Sequence, residues 1–415
     1  MAELGHEVVG VDVDATKIAQ LSAGTATFYE PGLPELLGSA LATGRLRFST
    51  DIAEIEDAEV HFLAVGTPQQ TGSYAADMTY VDAAVDALLP HLAAGDLVVG
   101  KSTVPVGTAA RLAGLVESTG ARLAWNPEFL REGFAVKDTI APDRLVYGVR
   151  TGDRASVDAL DEVYAAAIGN GTPRVVTDFA TAELVKVAAN AFLATKISFI
   201  NAMAEVAEAT GADVTELADA IGYDARIGRR FLNAGLGFGG GCLPKDIRAF
   251  MARAEELGVD QALGFLREVD SINLRRRERM IDLAREVCGG SVAGKRIAVL
   301  GLAFKPDSDD VRDSPALDVA ARLAELGATV RATDPQAIET SRRLRPTLEY
   351  VATAQEAARD ADAVLLLTEW SEYRELDPDE LGSAVRHRAI VDGRNCVDAA
   401  QWRAAGWTYR ALGRP

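Results

Sequence analysis

Glycines at positions 235, 237, 239, 240 and 241 run directly into Cys242, Lys245 and Asp246, within "RIGRRFLNAGLGFGGGCLPKD" from Arg226 to Asp246. Residues without a Cβ let backbone N–H groups come close to a ligand. A thiol at the start of a helix has its pKa lowered by the helix dipole and by nearby cations. Such a sulfur can hold an aldehyde as a thiohemiacetal, from which a second hydride can leave. A buried structural cysteine behind a glycine turn is the plainer alternative. Cys288 and Cys396 have no comparable surroundings and read as structural thiols.

Other residues suit the same chemistry. Lys186 and Asn190 stand four apart in an apolar helical stretch, hence on one face. An ammonium there needs an anionic partner. Glu183 is the structural candidate; a developing oxyanion is the functional one, with the Asn190 amide as second donor. In "WNPEFLREG", Glu128 and Glu132 lie among apolar residues at a strand end, where a partly desolvated carboxylate can act as a base. A helix N-terminus favouring acids explains them equally well.

Asp12 ends the second strand of a nucleotide-binding pattern. An acid there accepts from ribose hydroxyls and repels a 2′-phosphate, favouring NAD over NADP; capping of the next helix, which carries Lys17, is the alternative. Thr67 in "VGTP", and Ser102 and Thr103 in "KSTVPVGT", stand at strand ends facing the same ligand side. "AFKPDSDDVRDSP" replaces a glycine loop in the last lobe, with Lys305 and Arg312 supplying positive charge and Arg394 adding another cation.

These residues must be held by elements, and 415 residues suffice for two or three domains. With 48% hydrophobic and 25% charged residues the composition is that of a globular protein. A net charge of −18 disfavours nucleic acid or an anionic membrane as partner. Three scattered cysteines suggest a reducing cytoplasm, and no metal site is assigned. The apolar stretch "LVKVAANAFLATKISFINAMAEVA" contains Lys186, Asn190, Lys196 and Asn201, which argue for a helix buried between domains or subunits rather than in a membrane.

Apolar runs "EVVGVDV", "EVHFLAVGTP", "DLVVGKSTVP", "RLAWNPEF" and "DRLVYGV" alternate with helical stretches, as in a doubly wound α/β lobe of parallel strands. "RIAVLGLAF", "ATVRATD", "DAVLLLT" and "RAIVDGRN" repeat the pattern later. The reading is two Rossmann-like lobes joined by a long-helix middle: 1–178, 179–290 and 291–415.

"LAELGATVRATD" matches the opening "MAELGHEVVGVDVD", but in the later copy a strand, loop and helix precede it. By this comparison the N-terminal lobe lacks a first strand and glycine loop, roughly 20 to 30 residues. The expectation is a true start upstream, weak pyrophosphate binding, and open inner edges on the strands ending at Asp12 and Ser102.

With these stretches in view, the chain resembles the UDP-glucose 6-dehydrogenases of the UDP-glucose/GDP-mannose dehydrogenase family. The resemblance implies oxidation of a sugar C6 alcohol to a carboxylate by two NAD in turn, in a homodimer or larger homo-oligomer. It makes Cys242 the thiol of a thiohemiacetal and thioester, and Lys186 and Asn190 the oxyanion stabilisers. Asp246, with a water near Thr103, would transfer protons, and Glu128 would activate the hydrolytic water. Substrate contacts would fall on Glu128, Phe129, Leu130, Arg131 and Glu132, and on Lys186, Asn190 and Arg226. The loop Phe231, Leu232, Asn233, Ala234 and Gly235 would add others, as would Gly239, Phe304, Lys305 and Arg394. NAD contacts would fall on Asp12, Lys17, Thr67, Ser102, Thr103, Glu132 and Arg312, and Arg226 would reach a neighbouring subunit. Gly241 stands where a serine is common. The rival readings are a GDP-mannose or UDP-N-acetyl-sugar dehydrogenase, or an inactive chain that binds nucleotide sugars.

Overall fold

The computed structural model describes residues 1–415 and divides into two compact units. The first is Met1–Ala189 with Arg248–Asp260; the second is Asn190–Ile247 with Gln261–Pro415.

The first unit holds β1 (Val8–Val11), β2 (Leu46–Ser49), β3 (Val60–Leu63), β4 (Leu97–Gly100), β5 (Arg122–Trp125), β6 (Leu145–Gly148) and β7 (Arg174–Thr177). β1 and β2 pair in parallel, and a separate sheet has the order β3-β4-β5-β6-β7. The edge strands of that sheet are β3 and β7, whereas β4, leading to Ser102, is paired on both sides and has no open edge. β6 runs antiparallel to β5 through the pair Trp125 and Gly148, whereas the apolar runs suggested parallel strands throughout. Trp125 is 1% exposed, and its ring lies across β4 only because residue 100 is glycine: a Cβ there would fall 2.1 Å from the ring.

The second unit carries β8 (Arg296–Leu300), β9 (Thr329–Thr333), β10 (Glu349–Tyr350), β11 (Ala363–Leu366), β12 (Ala389–Asp392) and β13 (Thr408–Ala411). They form one parallel sheet in the order β10-β9-β8-β11-β12-β13, the strand order of a complete dinucleotide-type lobe. β8, β11 and β12 are almost wholly buried Val, Leu, Ile and Ala, as a sheet covered on both faces requires.

The central helix, Phe179–Thr210, has 32 residues and is about 48 Å long. By length and composition alone it could cross a membrane. Its polar residues are instead used within the protein. Lys196 donates to the carbonyls of Ile227 and Gly228, Ser198 to that of Val269, and Asn201 accepts from the Gly235 N–H. The helices Val214–Gly222, Leu243–Glu256 and Phe265–Val287 complete the non-sheet part of the middle.

Candidate active site

Cys242 directly precedes the helix Leu243–Glu256, its carbonyl accepting the Asp246 N–H at 2.9 Å. Proline is tolerated in a first helical turn, and Asp246 suits the positive end of the helix dipole. Cys242 is exposed, so the alternative of a buried structural thiol does not hold. Asp246 is 2% exposed. Its carboxylate lies 2.6 Å from the Asn190 amide nitrogen and 2.9 Å from the Lys245 ammonium. An amide offers two N–H donors, and Asp246 fixes the orientation of this one.

The glycine loop behaves differently from expectation. The N–H groups of Gly235, Leu236, Phe238 and Gly240 donate to Asn201, Gly393, Asn273 and Arg312 rather than standing open to a ligand. Gly237, at φ 89°, leaves no room for a side chain, since a Cβ would fall 2.2 Å from Asn273 Oδ1. A Cβ on Gly239 would fall 2.4 Å from the Asp313 carbonyl oxygen, and one on Gly240 2.8 Å from the Phe304 ring. These glycines allow loop and lobe to pack. At Gly241 a Cβ would meet the Arg312 guanidinium at 2.4 Å, so a serine in its place requires that flexible side chain to shift.

Just before the glycines, Leu232 and Ala234 are buried in a small core, while Phe231 and Asn233 are exposed. Phe231 has φ 66°, an uncommon left-handed conformation for a bulky residue. Arg394 donates to the carbonyls of Leu367, Gly237 and Phe304, clamping the glycine loop to two strand-end loops of the last lobe. Lys305 lies 5.2 Å from the centre of the Phe304 ring, and Arg312 pairs with Asp310 through both carboxylate oxygens. Arg226, 88% exposed along its side chain, pairs only with its neighbour Asp224.

In the first unit, Lys186 is 5% exposed and its ammonium meets Glu128 at 3.0 Å, close to the Phe129 ring. Its partner is therefore not Glu183. That carboxylate, 2% exposed, accepts from the N–H groups of Gly107 and Ala109 at the start of the helix Thr108–Val116. Burial pushes the Glu183 carboxyl up against the pull of those donors. Glu128 also accepts from the Leu130 N–H, and Arg131 forms a fork with Asp138.

At the tip of β1, Asp14, not Asp12, caps the following helix, accepting from the N–H groups of Thr16 and Lys17. This leaves Asp12 for a ligand, with Lys17 at 2.5 Å. Partial burial would raise the Asp12 carboxyl, but the bonds from Lys17 and the Asp14 N–H hold it below its ordinary value. Such an anion fits an adenosine ribose. The hydroxyls of Thr67 and Ser102 donate to the carbonyls of Thr103 and Val65, so they brace the two strand tips.

Comparison with known proteins shows the family. The NAD-binding domain of the UDP-glucose/GDP-mannose dehydrogenase family matches residues 1–168, its central domain 180–275 and its UDP-binding domain 298–399. The chain belongs to this family. It is an NAD-dependent dehydrogenase. It is 41% identical to a UDP-glucose 6-dehydrogenase of Rhizobium meliloti over all of this chain and 95% of that protein. A solved UDP-glucose dehydrogenase from Pyrobaculum islandicum superposes with TM-score 0.90 at 39% identity, covering 100% of this chain and 94% of that one. A UDP-D-ManNAc dehydrogenase from Pyrococcus horikoshii gives 0.85 at 26%, covering 100% and 95%.

One residue of this NAD-binding domain escaped the sequence reading. Glu30, in "YEPGL", is 3% exposed, and its carboxylate accepts from the N–H groups of Gly133 and Ala135, over a hundred residues away. It pins the end of "EFLREG". An acid next to proline and glycine was the only local signal. Glu30→Ala leaves two N–H groups without their acceptor and is expected to cost about 2–4 kcal/mol, read by urea unfolding. An unchanged midpoint would show that Glu30 carries no such load.

Proposed function

We propose that this chain oxidises the C6 alcohol of UDP-glucose to the carboxylate of UDP-glucuronate through a covalent intermediate on Cys242. The observation that carries the reading is the exposed thiol at a helix start, four residues before a buried carboxylate shared by Asn190 and Lys245. Relatives about 40% identical over the whole chain bear the same activity in their names.

NAD, when bound, accepts a hydride in each of two oxidations. Asp12 and Lys17 would hold its ribose end, with Ser102, Thr103, Thr67, Glu132 and Arg312 toward its other parts. The chain supplies the remainder. The C6 alcohol loses its hydroxyl proton toward a water held by Asp246 and Thr103 and a hydride from its carbon, leaving an aldehyde. Sulfur of Cys242 adds to that carbon, and the oxyanion so formed is stabilised by the Lys186 ammonium and the Asn190 amide. Loss of the second hydride gives a thioester. Water deprotonated by Glu128 then attacks it, and the carbon–sulfur bond breaks to release the acid and the thiol. Lys305 and Arg394, with the loop from Phe231 to Gly235, would take the nucleotide and sugar.

The central helix supports a homodimer or larger homo-oligomer. Phe192, Phe199 and Val206 are 67%, 48% and 54% exposed and stand seven residues apart, on one face. A second copy would cover them, and Arg226 would extend toward the neighbour's site. Phe192→Glu with Phe199→Glu is expected to yield a monomer on sedimentation; an unaltered oligomer places the interface elsewhere. For the reaction, two NADH should appear per UDP-glucose consumed. A ratio of one would return the chain to ordinary alcohol dehydrogenation.

A further inference from the structure

Asn201 lies on the long helix eleven residues beyond Asn190, three turns further along the same face. It is 0% exposed and takes no part in the reaction above. Its Oδ1 accepts the Gly235 N–H at 2.9 Å. The carbonyl of that same peptide, on Ala234, accepts from Asn395 Nδ2 at 3.2 Å. Asn395 has φ 54° and also donates to the Leu412 carbonyl at 2.8 Å, just past β13. One peptide unit is thus gripped by a side-chain amide at each end. All of these residues belong to the second unit.

Leu232 and Ala234 share a small core with Ile200 and Ala204 of the long helix. Such packing is non-directional: it holds the loop to the helix without fixing how a peptide is turned. Hydrogen bonds do fix it. The grip is also kept at a cost, because Asn201 Nδ2 and Asn395 Oδ1 are buried without a partner. An apolar side chain at 201 would avoid a buried bare donor, but it could not accept from Gly235. We propose that Asn201, with Asn395, is a positioning residue for the substrate. By fixing the Ala234–Gly235 peptide it holds the exposed Phe231 and Asn233 in the geometry that takes the uridine diphosphate part of UDP-glucose. The inference rests on the reading that the loop Phe231 to Gly235 binds this nucleotide.

UDP alone is the probe, titrated calorimetrically into the whole chain without NAD. Asn201→Ala is expected to weaken UDP about tenfold, the worth of one lost hydrogen bond. Asn201→Asp keeps an acceptor oxygen at the same reach and should stay within about threefold of wild type. Asn395→Gly removes the second grip at a position whose left-handed backbone suits glycine, and should weaken UDP about fivefold. With UDP-glucose as substrate, KM should rise by the same factors while kcat and the Kd for NAD hold. The Gly235 amide should exchange with deuterium faster in Asn201→Ala than in wild type or Asn201→Asp. A residue that only stabilises the fold would lower kcat and weaken NAD as well, without rescue by aspartate, and that result overturns the proposal. Unchanged UDP affinity in Asn201→Ala and Asn395→Gly overturns it too. Should Asn201→Ala fail to fold, Asn395→Gly decides by the same readings. A wild-type chain that binds no UDP would remove the proposed substrate, and this inference with it.

Discussion

Cys242→Ser is expected to lower NADH formation from UDP-glucose by on the order of 10³-fold or more, with no change in thermal midpoint. The side chain is exposed, so exchanging sulfur for oxygen opens no cavity in the core. The chemistry suffers because a serine hydroxyl has no comparable anionic fraction near neutral pH, and helix dipole and cations act on a group that barely ionises. The two other cysteines provide the control. Burial pushes both thiols up, and at Cys396 the Asp392 carboxylate adds to this. Neither can be an effective nucleophile at pH 7, and Cys288→Ala and Cys396→Ala should keep two NADH per sugar. The measurement is NADH yield and rate at saturating UDP-glucose for all three variants. A Cys242→Ser enzyme that still made two NADH per sugar at a comparable rate would remove the sulfur from the mechanism.

The strands that escaped the sequence pattern have something physical in common. β2, β7, β10 and β13 are each an edge of their sheet. Central strands are covered on both faces and read as unbroken apolar runs, as in "DLVVG" and "DAVLLLT". An edge strand has no such requirement. Val175 and Val176 in β7 are 49% and 45% exposed, β13 alternates exposed and buried residues, and β10 has two residues. The site divides in the same way. Cys242, Asp246 and the glycines are legible because they are contiguous. The bond from Lys186 to Glu128 spans 58 residues of sequence, and that from Asn190 to Asp246 spans 56. Local spacing pointed Lys186 to Glu183, three residues away, but Glu183 caps a different helix. Such partners are chosen by tertiary packing, which leaves no periodic trace. The glycine loop teaches a related lesson: a run of residues without Cβ looks the same whether ligand or protein fills the space.

The internal repeat allows a sharper test, because Asp12 and Asp334 end corresponding strands and are used in opposite ways. Asp334 is 2% exposed, and its carboxylate accepts from five donors: the N–H groups of Leu302, Ala303, Gln336 and Ala337, and the Trp370 indole at 3.1 Å. With its acceptor sites taken up in this way, a ribose has little to bind. In this lobe the strand-end acid shapes the loop after β8, where a glycine-rich turn would otherwise hold phosphate. Asp334→Ala leaves those donors in a buried place without their acceptor and is expected to cost about 3–5 kcal/mol. At Asp12 the partners are Lys17 and one local N–H, the side chain is 32% exposed, and nothing buried depends on it. Asp12→Ala should therefore change stability by no more than about 0.5 kcal/mol. It should weaken NAD about tenfold or more, the worth of a lost charge-assisted hydrogen bond. Urea midpoints and NAD titrations on the two variants read both quantities. Reversed outcomes, with Asp12→Ala unfolding the chain and Asp334→Ala merely losing NAD, would mean that the last lobe and not the first binds the dinucleotide.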